Sequence, residues 1–400
     1  MPIFVKITKA KGLKTFPDKL QKKLNQRKDN NALRKLPSRS TLIDFSSNDY
    51  LGFAVDKDIF DQTHQLLKEK KIHQNGATGS RLLSGNHGLY NDVETMLADI
   101  HNAETALIFN SGYDANVGFF SSVPQKGDII LYDELIHASI RDGIQMSNAK
   151  AYKFAHNDLQ DLQKKLRNAK PEKRNGHTEH VEVYVITESV FSMDGDSPDL
   201  KGFVEVCEGY KCRLIIDEAH ATGVFGEKGV GLLQELRLEE RIFARINTFG
   251  KALGCHGAVV LGSEDLKNYL VNFARSFIYT TGLPPHSLAT VRVAYSALQS
   301  TSEIEKLKDN IRFFNHTLKI KNLESKFIES NSAIHCCIVS GNEHVKHVAL
   351  KIQENGFDVK PILSPTVPEG KERLRFCLHS FNSKEEISKV LGLLATFVLD

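Results

Sequence analysis

Residues 213–220 read RLIIDEAH, and residues 244–251 read ARINTFGK. Each segment begins with an apolar run that predicts a buried strand, and each ends in polar residues: Asp217 and His220 in the first, Lys251 in the second. Open α/β sheets bind ligands at the carboxyl ends of their strands, so the two segments predict a site at one sheet edge. Taken singly, an acidic pair after a strand, or a lysine in a glycine-containing loop, is more often a surface group.

The surrounding chain alternates strand-like and helical patterns between residues 105 and 262. This alternation predicts an α/β fold in which helices cover a mostly parallel sheet. Besides the two segments above, the strand-like stretches are residues 105–110, 128–133, 150–154, 181–187 and 257–262.

A change of pattern follows the alternating region. Residues 286–318 have helical periodicity, and three later stretches, 332–339, 357–362 and 373–378, are strand-like. We therefore predict an N-terminal arm with a helix at residues 1–45, a large domain at residues 46–290 and a smaller α+β C-terminal domain at residues 291–400.

The bulk composition excludes several classes of function. Lys and Arg number 52 against 49 Asp and Glu, for a net charge of +3, which does not favour nucleic acid or a membrane surface as a partner. The chain has neither a signal-peptide apolar segment nor a run of about 18 apolar residues. Its six cysteines lack CxxC pairs and metal-type spacing, which predicts no metal site and a reducing, cytoplasmic setting.

Polar residues follow other predicted strands as well. Ser111, Gly112 and Tyr113 lie between a strand and a helical stretch, where free backbone amides and the helix dipole favour an anion such as a phosphate. His137 also follows a strand, and the residue pattern alone favours helix capping or packing for it. The glycine-rich residues 76–85 lack both a Walker lysine and a GxGxxG spacing, so we interpret them as a loop and not as a nucleotide cradle.

Together, these stretches resemble in their order and sequence the motifs of the α-oxoamine synthases, pyridoxal-phosphate (PLP) enzymes of the fold-type-I aminotransferase superfamily. The resemblance runs from about residue 45 to the C-terminus and implies the superfamily's large PLP-binding domain, with a mostly parallel seven-stranded sheet, and its smaller C-terminal domain. The matching motifs are residues 45–52, 76–85, 109–116, 137–139, 156–158, 187–196, 217–223, 248–254, 279–285 and 373–378.

The resemblance implies catalytic roles for four residues. Lys251 corresponds to the lysine that forms a Schiff base with the cofactor and later moves protons at the substrate Cα. Asp217 corresponds to the partner of the pyridine nitrogen, and His220 to the residue that reaches the phenolic oxygen. His137 corresponds to the residue that stacks on the ring face, which replaces the packing interpretation.

Further cofactor contacts follow from the same resemblance. Glu188 and Ser189 correspond to residues near the ring, and the phosphate contacts correspond to Ser111, Gly112, Tyr113 and Thr248. Thr280 corresponds to a residue that reaches the phosphate in a neighbouring subunit. The resemblance therefore implies a homodimer with shared active sites.

The implied substrates are small molecules, an amino acid and an acyl thioester. Arg375 corresponds to the residue that clamps the amino-acid carboxylate, with Asn48 assisting, and a planar guanidinium suits that task. The sequences of the motifs are most similar to those of family members that join L-alanine to a pimeloyl thioester. Members that use glycine with an acetyl group, or serine with a palmitoyl group, remain alternatives. Residues 373–380 depart from the more usual threonine-containing ending after the arginine pair, and Ser80-Arg81 is also found in these sister enzymes.

Overall fold

The computed structural model describes residues 16–34, 36, 41–169, 173–174, 177–178 and 181–399. Three short 3-10 helices lie at Phe53–Val55, Glu239–Arg241 and Glu324–Lys326. The α-helices in the described part are α1 (Asp18–Asp29), α2 (Lys57–Glu69), α3 (Gly88–Ile100), α4 (Gly112–Ser122), α5 (Ala138–Met146), α6 (Leu159–Asn168), α7 (Leu200–Tyr210), α8 (Leu232–Glu235), α9 (Glu264–Phe273), α10 (Arg275–Ile278), α11 (Pro285–Leu298), α12 (Glu303–Ile320), α13 (Asn342–Glu354) and α14 (Lys384–Val398). The strands are β1 (Ile43–Asp44), β2 (Thr105–Phe109), β3 (Ile129–Asp133), β4 (Lys150–Phe154), β5 (Lys173–Arg174), β6 (His177–Thr178), β7 (Val183–Glu188), β8 (Arg213–Asp217), β9 (Ala244–Thr248), β10 (Ala258–Gly262), β11 (Ile334–Ile338), β12 (Phe357–Asp358), β13 (Lys360–Ile362) and β14 (Arg373–Cys377).

The largest sheet has seven strands in the order β2-β10-β9-β8-β7-β3-β4. The neighbouring pairs from β9 to β4 are parallel, whereas β10 is antiparallel to both β9 and β2. The predicted α/β fold with a mostly parallel seven-stranded sheet is therefore confirmed. The strands other than β10 run in one direction, so their carboxyl ends meet at the same edge of the sheet.

Both faces of this sheet are buried, which explains why its strands read as continuous apolar runs. In β8, Leu214 and Ile216 pack into one hydrophobic cluster with α6 and α7, while Ile215 packs into another cluster on the opposite face with α4 and α5. Because the central strands cannot shift register without breaking both clusters, the residues that follow them are held in fixed positions.

A second sheet, of the order β11-β14-β13, is antiparallel and lies with α12, α13 and α14 in the C-terminal part of the chain. β1 pairs in parallel with β12, so the segment that follows the N-terminal arm is tied to this C-terminal part. The predicted domain boundary at residues 290–291 falls inside α11, and the division into domains stays a prediction.

The N-terminal arm contains the helix that the sequence predicts. None of the residues of α1 is buried, and Asn31, just beyond its end, donates to the Glu343 carboxylate (2.9 Å). Residues 1–15, 35 and 37–40 of the predicted arm lie outside the described residues. Among the helices that are described, none is long and apolar enough to cross a membrane.

Candidate active site

The polar ends of three adjacent strands converge on one cavity. Glu188 at the end of β7 is the register partner of Asp217 at the end of β8, and β9 ends beside them at Thr248. The cavity has a volume of about 230 Å³. It is lined by Ser111, Gly112, Tyr113, Asn116, His137, Ser139, Glu188, Asp217, Ala219, His220, Thr248, Gly250, Lys251, His256 and Gly257.

Asp217 is a buried carboxylate whose orientation is fixed by two hydrogen bonds. One oxygen accepts from the backbone N–H of Ala219 (2.9 Å), and the other accepts from the side-chain amide of Asn116 on α4 (3.0 Å). Asn116 also reaches the hydroxyl of Ser139 (3.0 Å). Because a carboxylate has about four acceptor positions, Asp217 retains the capacity to accept another proton donor from the cavity.

Lys251 follows β9 in a tight loop that presses its backbone against another segment. At Gly254, φ is +61° and an added Cβ would lie 2.2 Å from the backbone nitrogen of Ala54, so glycine is required there. Burial lowers the pKa of Lys251 to about 8, although the nearby carboxylates of Asp217 and Glu188 act in the opposite direction. The lysine amine is therefore neutral more often than an exposed lysine at the same pH.

Glu188 and His137 form the next layer of the site. Glu188 is buried, and both this burial and the neighbouring Asp217 carboxylate raise its pKa well above the usual range. Its oxygen accepts from the backbone N–H of His137. Ser189 is fully buried behind this layer, where its backbone N–H donates to the carbonyl of Asp217 (2.9 Å); its side chain does not line the cavity.

His137 caps a helix and also reaches the cavity. It is the N-cap of α5, where its ring nitrogen accepts from the backbone N–H of Ser139 and lies 2.7 Å from the Ser139 hydroxyl. The ring also lines the cavity. Burial lowers its pKa, and the nearby Lys251 amine lowers it further against the effect of Asp217, which favours a neutral imidazole.

The predicted anion site lies at the N-terminus of α4. Ser111 is the N-cap of that helix, and its hydroxyl accepts from the backbone N–H of Asp114 (3.0 Å). At Gly112, an added Cβ would lie 2.6 Å from a methyl carbon of Thr248, so the two segments can approach only because this residue is glycine. Among the described residues, the buried Thr248 hydroxyl has no hydrogen-bond partner.

Two of the predicted phosphate contacts lie partly away from this pocket. Tyr113 lines the cavity, but its exposed hydroxyl donates to the Asp142 carboxylate (2.7 Å). Thr280 does not line the cavity of its own chain, and its hydroxyl accepts from the side-chain amide of Asn110 (3.0 Å), immediately before Ser111.

Arg375 is a buried cation without a carboxylate partner in the described part of the chain. Its guanidinium donates to the carbonyl of Ser192 (2.8 Å), to Oδ1 of Asn48 (2.9 Å) and to the sulfur of Cys377 (3.0 Å), all of which are uncharged acceptors. Two other buried arginines do have carboxylates: Arg373 pairs with Asp194 and Arg245 pairs with Glu218. Since a buried charge is costly when unpaired, Arg375 is suited to bind an anionic ligand.

A chain of hydrogen bonds joins Arg375 to the cavity, although neither Arg375 nor Asn48 lines it directly. Asn48 lies 3.2 Å from the hydroxyl of Tyr50, and that hydroxyl lies 2.7 Å from Nδ1 of His220. Burial lowers the pKa of His220 well below its usual range, and the charges of Lys251 and Arg375 lower it further. His220 is therefore a neutral imidazole.

Sequence reasoning missed several residues that line or support this cavity. Asn116 carried a signal, because it is a polar residue between Ala115 and Val117 in a helix whose neighbouring positions are apolar. Tyr50 lies in the matched motif of residues 45–52, but nothing local predicts a role for it. His256 carried no signal, since nothing local distinguishes a loop histidine at the site from an ordinary one.

Comparison with known proteins gives consistent results. A family model described as aminotransferase class I and II matches residues 40–394. The 8-amino-7-oxononanoate synthase of Emericella nidulans is 42% identical to this chain over 405 residues, covering 96% of each protein. A solved structure of serine palmitoyltransferase from S. paucimobilis, with bound PLP–myriocin aldimine, has a TM-score of 0.84 at 28% identity and covers 95% of this chain and 96% of its own. The crystal structure of 8-amino-7-oxononanoate synthase from Francisella tularensis has a TM-score of 0.74 at 29% identity, with coverages of 90% and 98%.

Proposed function

The chain belongs to the class I and II aminotransferase family, and from this premise we propose that it is a PLP-dependent acyltransferase of the α-oxoamine synthase type. The reaction joins L-alanine to a pimeloyl thioester and gives 8-amino-7-oxononanoate, carbon dioxide and the free thiol, a step of biotin biosynthesis. The observation that carries this proposal is the cavity that Lys251 and Asp217 line together, near Arg375, whose hydrogen-bond partners among the described residues are all uncharged. The named relatives support the pimeloyl and alanine substrates.

The residues present fit the cofactor. The Thr248 hydroxyl is a buried donor without a partner in the described residues, and it lies against Gly112 at the N-terminus of α4, where an anion is favourable. This arrangement suits a phosphate. Across the cavity, Asp217 has acceptor capacity for a protonated ring nitrogen and Lys251 supplies an amine for covalent attachment.

When bound, PLP supplies an electron sink that makes the Cα proton of an amino acid acidic. The chain's own residues then have separate tasks. Asp217 would hold a proton at the pyridine nitrogen, because its carboxylate is buried and oriented by Asn116 and Ala219. Lys251 would hold the cofactor, and its amine, when free, would move the proton at Cα; burial lowers the pKa of this lysine, which favours the neutral amine that a general base requires.

The remaining residues orient the cofactor and shield it from water. His137 lies at the cavity wall with a neutral ring that can pack flat against an aromatic face. Glu188 and Ser189 support the ring end of the site, where burial keeps water away from the reacting atoms. Ser111, Gly112, Tyr113 and Thr248 hold the phosphate end.

Arg375 clamps the carboxylate of the amino-acid substrate, assisted by Asn48. The guanidinium is already oriented by three neutral acceptors, and a substrate carboxylate would complete its charge balance. By fixing that carboxylate, Arg375 and Asn48 would also fix the orientation of the substrate Cα, which would favour proton removal there.

The substrates can be tested directly by following release of free thiol. Pimeloyl-CoA with L-alanine should give the highest kcat/KM among pairs that combine pimeloyl-, acetyl- or palmitoyl-CoA with alanine, glycine or serine. Complementation of a biotin-requiring strain tests the same proposal in cells. Preference for another pair would refute the pimeloyl and alanine assignment while leaving the reaction class intact.

Serine palmitoyltransferase activity is the second candidate, because the palmitoyltransferase structure superimposes with a higher TM-score, 0.84 against 0.74. The sequence identities, 28% and 29%, do not separate the two activities. The 42% identity to the curated 8-amino-7-oxononanoate synthase favours the first candidate. Palmitoyl-CoA with serine is therefore the decisive competing pair in the thiol assay.

We also propose that the protein is a homodimer with shared active sites and that it acts in the cytoplasm. Thr280 does not line the cavity of its own chain, and the surface around it exposes Leu82, Leu83 and Tyr279. Gly282 N donates to Gly79 O (3.0 Å), which joins the two exposed segments into one face. A second copy would cover this apolar face and bring Thr280 to the partner's phosphate site.

Sedimentation equilibrium should give twice the 44.8 kDa chain mass; a monomer that retains full activity would refute the shared site.

A further inference from the structure

A buried tyrosine outside the predicted set of site residues connects the substrate end of the site to the cofactor end. The Tyr50 side chain is fully buried, and its hydroxyl lies 2.7 Å from Nδ1 of His220 and 3.2 Å from Oδ1 of Asn48. A phenol has one proton to donate, so Tyr50 can donate to His220 or to Asn48 but not to both. The recipient determines which nitrogen of His220 carries its proton.

The hydrogen-bond distances distinguish between these two recipients. The amide of Asn48 turns its oxygen toward Arg375 (2.9 Å), and a second lone pair of that oxygen remains open to Tyr50. The Tyr50–Asn48 separation of 3.2 Å is long for an O–H···O bond, for which about 2.7–2.8 Å is typical. The 2.7 Å separation from His220 is short for an N–H donor, for which about 2.9–3.0 Å is typical, so the distances favour Tyr50 as the donor and Nδ1 as the acceptor.

This donor direction places the proton of His220 on one of its two nitrogens. Burial and the charges of Lys251 and Arg375 keep its ring neutral, and a neutral imidazole has one N–H. If Nδ1 accepts from Tyr50, the proton is on Nε2. Among the described residues Nε2 has no hydrogen-bond partner, and His220 lines the cavity, so this N–H is available to a ligand.

We propose that Tyr50 is a positioning residue that fixes His220 as the Nε2–H tautomer, so that the histidine presents a hydrogen-bond donor to an oxygen acceptor in the cavity. The inference rests on the proposed function only for the identity of that acceptor, the phenolic oxygen of PLP. Without the tyrosine hydroxyl, Nδ1 loses its donor and the Nδ1–H form competes, which turns a lone pair toward the same oxygen.

The chain also provides a matched control for this role. Tyr295 is likewise fully buried, and its hydroxyl lies 3.0 Å from Nε2 of His101, but neither residue lines the cavity. Tyr50→Phe and Tyr295→Phe therefore remove the same atom from the same kind of buried tyrosine–histidine pair. A structural effect would follow both substitutions, whereas the positioning effect follows only Tyr50→Phe.

The test is nitrogen-15 NMR of the full-length protein with labelled histidine, recorded with and without PLP. The His220 signals are assigned by their loss in His220→Gln. We expect the wild type and Tyr295→Phe to carry the His220 proton on Nε2, and Tyr50→Phe to show a substantial Nδ1–H population. An Nδ1–H tautomer in the wild type, or a tautomer unchanged by Tyr50→Phe, would overturn the proposal.

A second readout uses the visible absorption band of the bound cofactor. In Tyr50→Phe the pH midpoint of this band should shift by about one unit, the size expected for one lost buried hydrogen bond, while Tyr295→Phe should leave it unchanged. An unshifted midpoint in Tyr50→Phe counts against the proposal.

If no variant or wild-type sample shows a band with PLP, the proposed function fails, and the tautomer measured without cofactor still decides the role of Tyr50. If Tyr50→Phe does not fold, the wild-type tautomer tests the direction of the Tyr50–His220 hydrogen bond: Nε2–H supports the proposal and Nδ1–H overturns it.

Discussion

At the scale of single residues, Lys251 is distinguished by its surroundings and not by its local sequence. Lys228 also lies in a glycine-containing loop, between Gly226 and Gly229, yet it is exposed. We predict that Lys251→Ala lowers kcat by at least about 10²–10⁴-fold, the contribution of a positioned general acid or base, because the amine that we propose moves the Cα proton is lost. It should also abolish covalent fixation of PLP by borohydride.

The matched control for this prediction is Lys228→Ala, which should retain both turnover and covalent fixation. Assays of thiol release and mass spectrometry of the reduced protein provide the two measurements. Fixation of PLP to a lysine other than Lys251 in the wild type would contradict the assignment.

Arg375 offers a prediction that separates binding from chemistry. Arg375→Ala removes the cation that we propose binds the substrate carboxylate, so the KM for the amino acid should rise by the equivalent of about 2–5 kcal/mol, whereas the KM for the acyl thioester should change little. Arg375→Lys keeps the charge but loses the planar fork, and its effect should be intermediate. Steady-state kinetics with each substrate varied in turn provide the test. An unchanged amino-acid saturation curve would exclude the clamp.

The sequence predicted Lys251, Asp217 and His220 together because each follows an apolar strand in a recognisable motif. It did not predict Asn116 or Tyr50. Asn116 meets Asp217 across 101 positions of the chain, and Tyr50 meets His220 across 170 positions. Hydrogen bonds of this kind depend on how elements are packed against each other, and a local pattern carries no record of that packing.

At the scale of elements, the strands of the large sheet were predictable because they are buried on both faces and so read as apolar runs. The antiparallel direction of β10 was not predicted. Only residues 249–257 separate β9 from β10, and a parallel return needs a crossover of a dozen residues or more. The loop that carries Lys251 is therefore too short to allow a parallel β10, and this argument was available from the sequence.

His156 ties three of these loops together. Its Nδ1 lies 2.9 Å from Asp133 at the end of β3, and its Nε2 lies 2.8 Å from Asp196 in the loop after β7. Burial opposes the charged ring, but the two aspartates raise the pKa of His156 to about 10. A raised pKa means that the stabilisation is fully present below the unfolded-state value of about 6.5 and is lost as the pH rises toward 10.

We therefore predict that the stability advantage of the wild type over His156→Gln shrinks between pH 6.5 and 10, by up to about 1.4 kcal/mol per pH unit. Urea unfolding of both proteins at several pH values in this range measures the difference. A stability difference that does not change over this range would show that His156 is not charged in the folded protein.

At the scale of the whole molecule, one hydrophobic cluster continues across the predicted domain boundary. It includes Val93 and Leu97 of α3, Leu288 of α11, and residues of the C-terminal sheet such as Cys336 and Leu374. The candidate site also combines residues from both regions. Asp217 and Lys251 belong to the large sheet and its loops, whereas Arg375 belongs to β14. Sequence patterns predicted the two regions separately. Their joint core depends on side-chain packing, which the patterns do not record.

Two histidines within this joint core make acid stability the broadest test of the fold. His335 on β11 packs against Phe314 at a ring distance of 4.5 Å, and its Nε2 has no partner in the described residues. His101 is also buried, beside Tyr295. Burial lowers the pKa of each to about 3.

A histidine whose folded-state pKa is lowered leaves stability intact above about pH 6.5 and reduces it as the pH falls toward 3, by about 1.4 kcal/mol per pH unit. We predict that His335→Phe, which cannot gain this proton, loses less stability between pH 6.5 and 4 than the wild type, whereas substitution of the exposed His73 by Asn leaves the wild-type slope unchanged. Denaturant unfolding at one fixed protein concentration measures all three slopes, and parallel slopes for the wild type and His335→Phe would mean that the buried ring is protonated without cost.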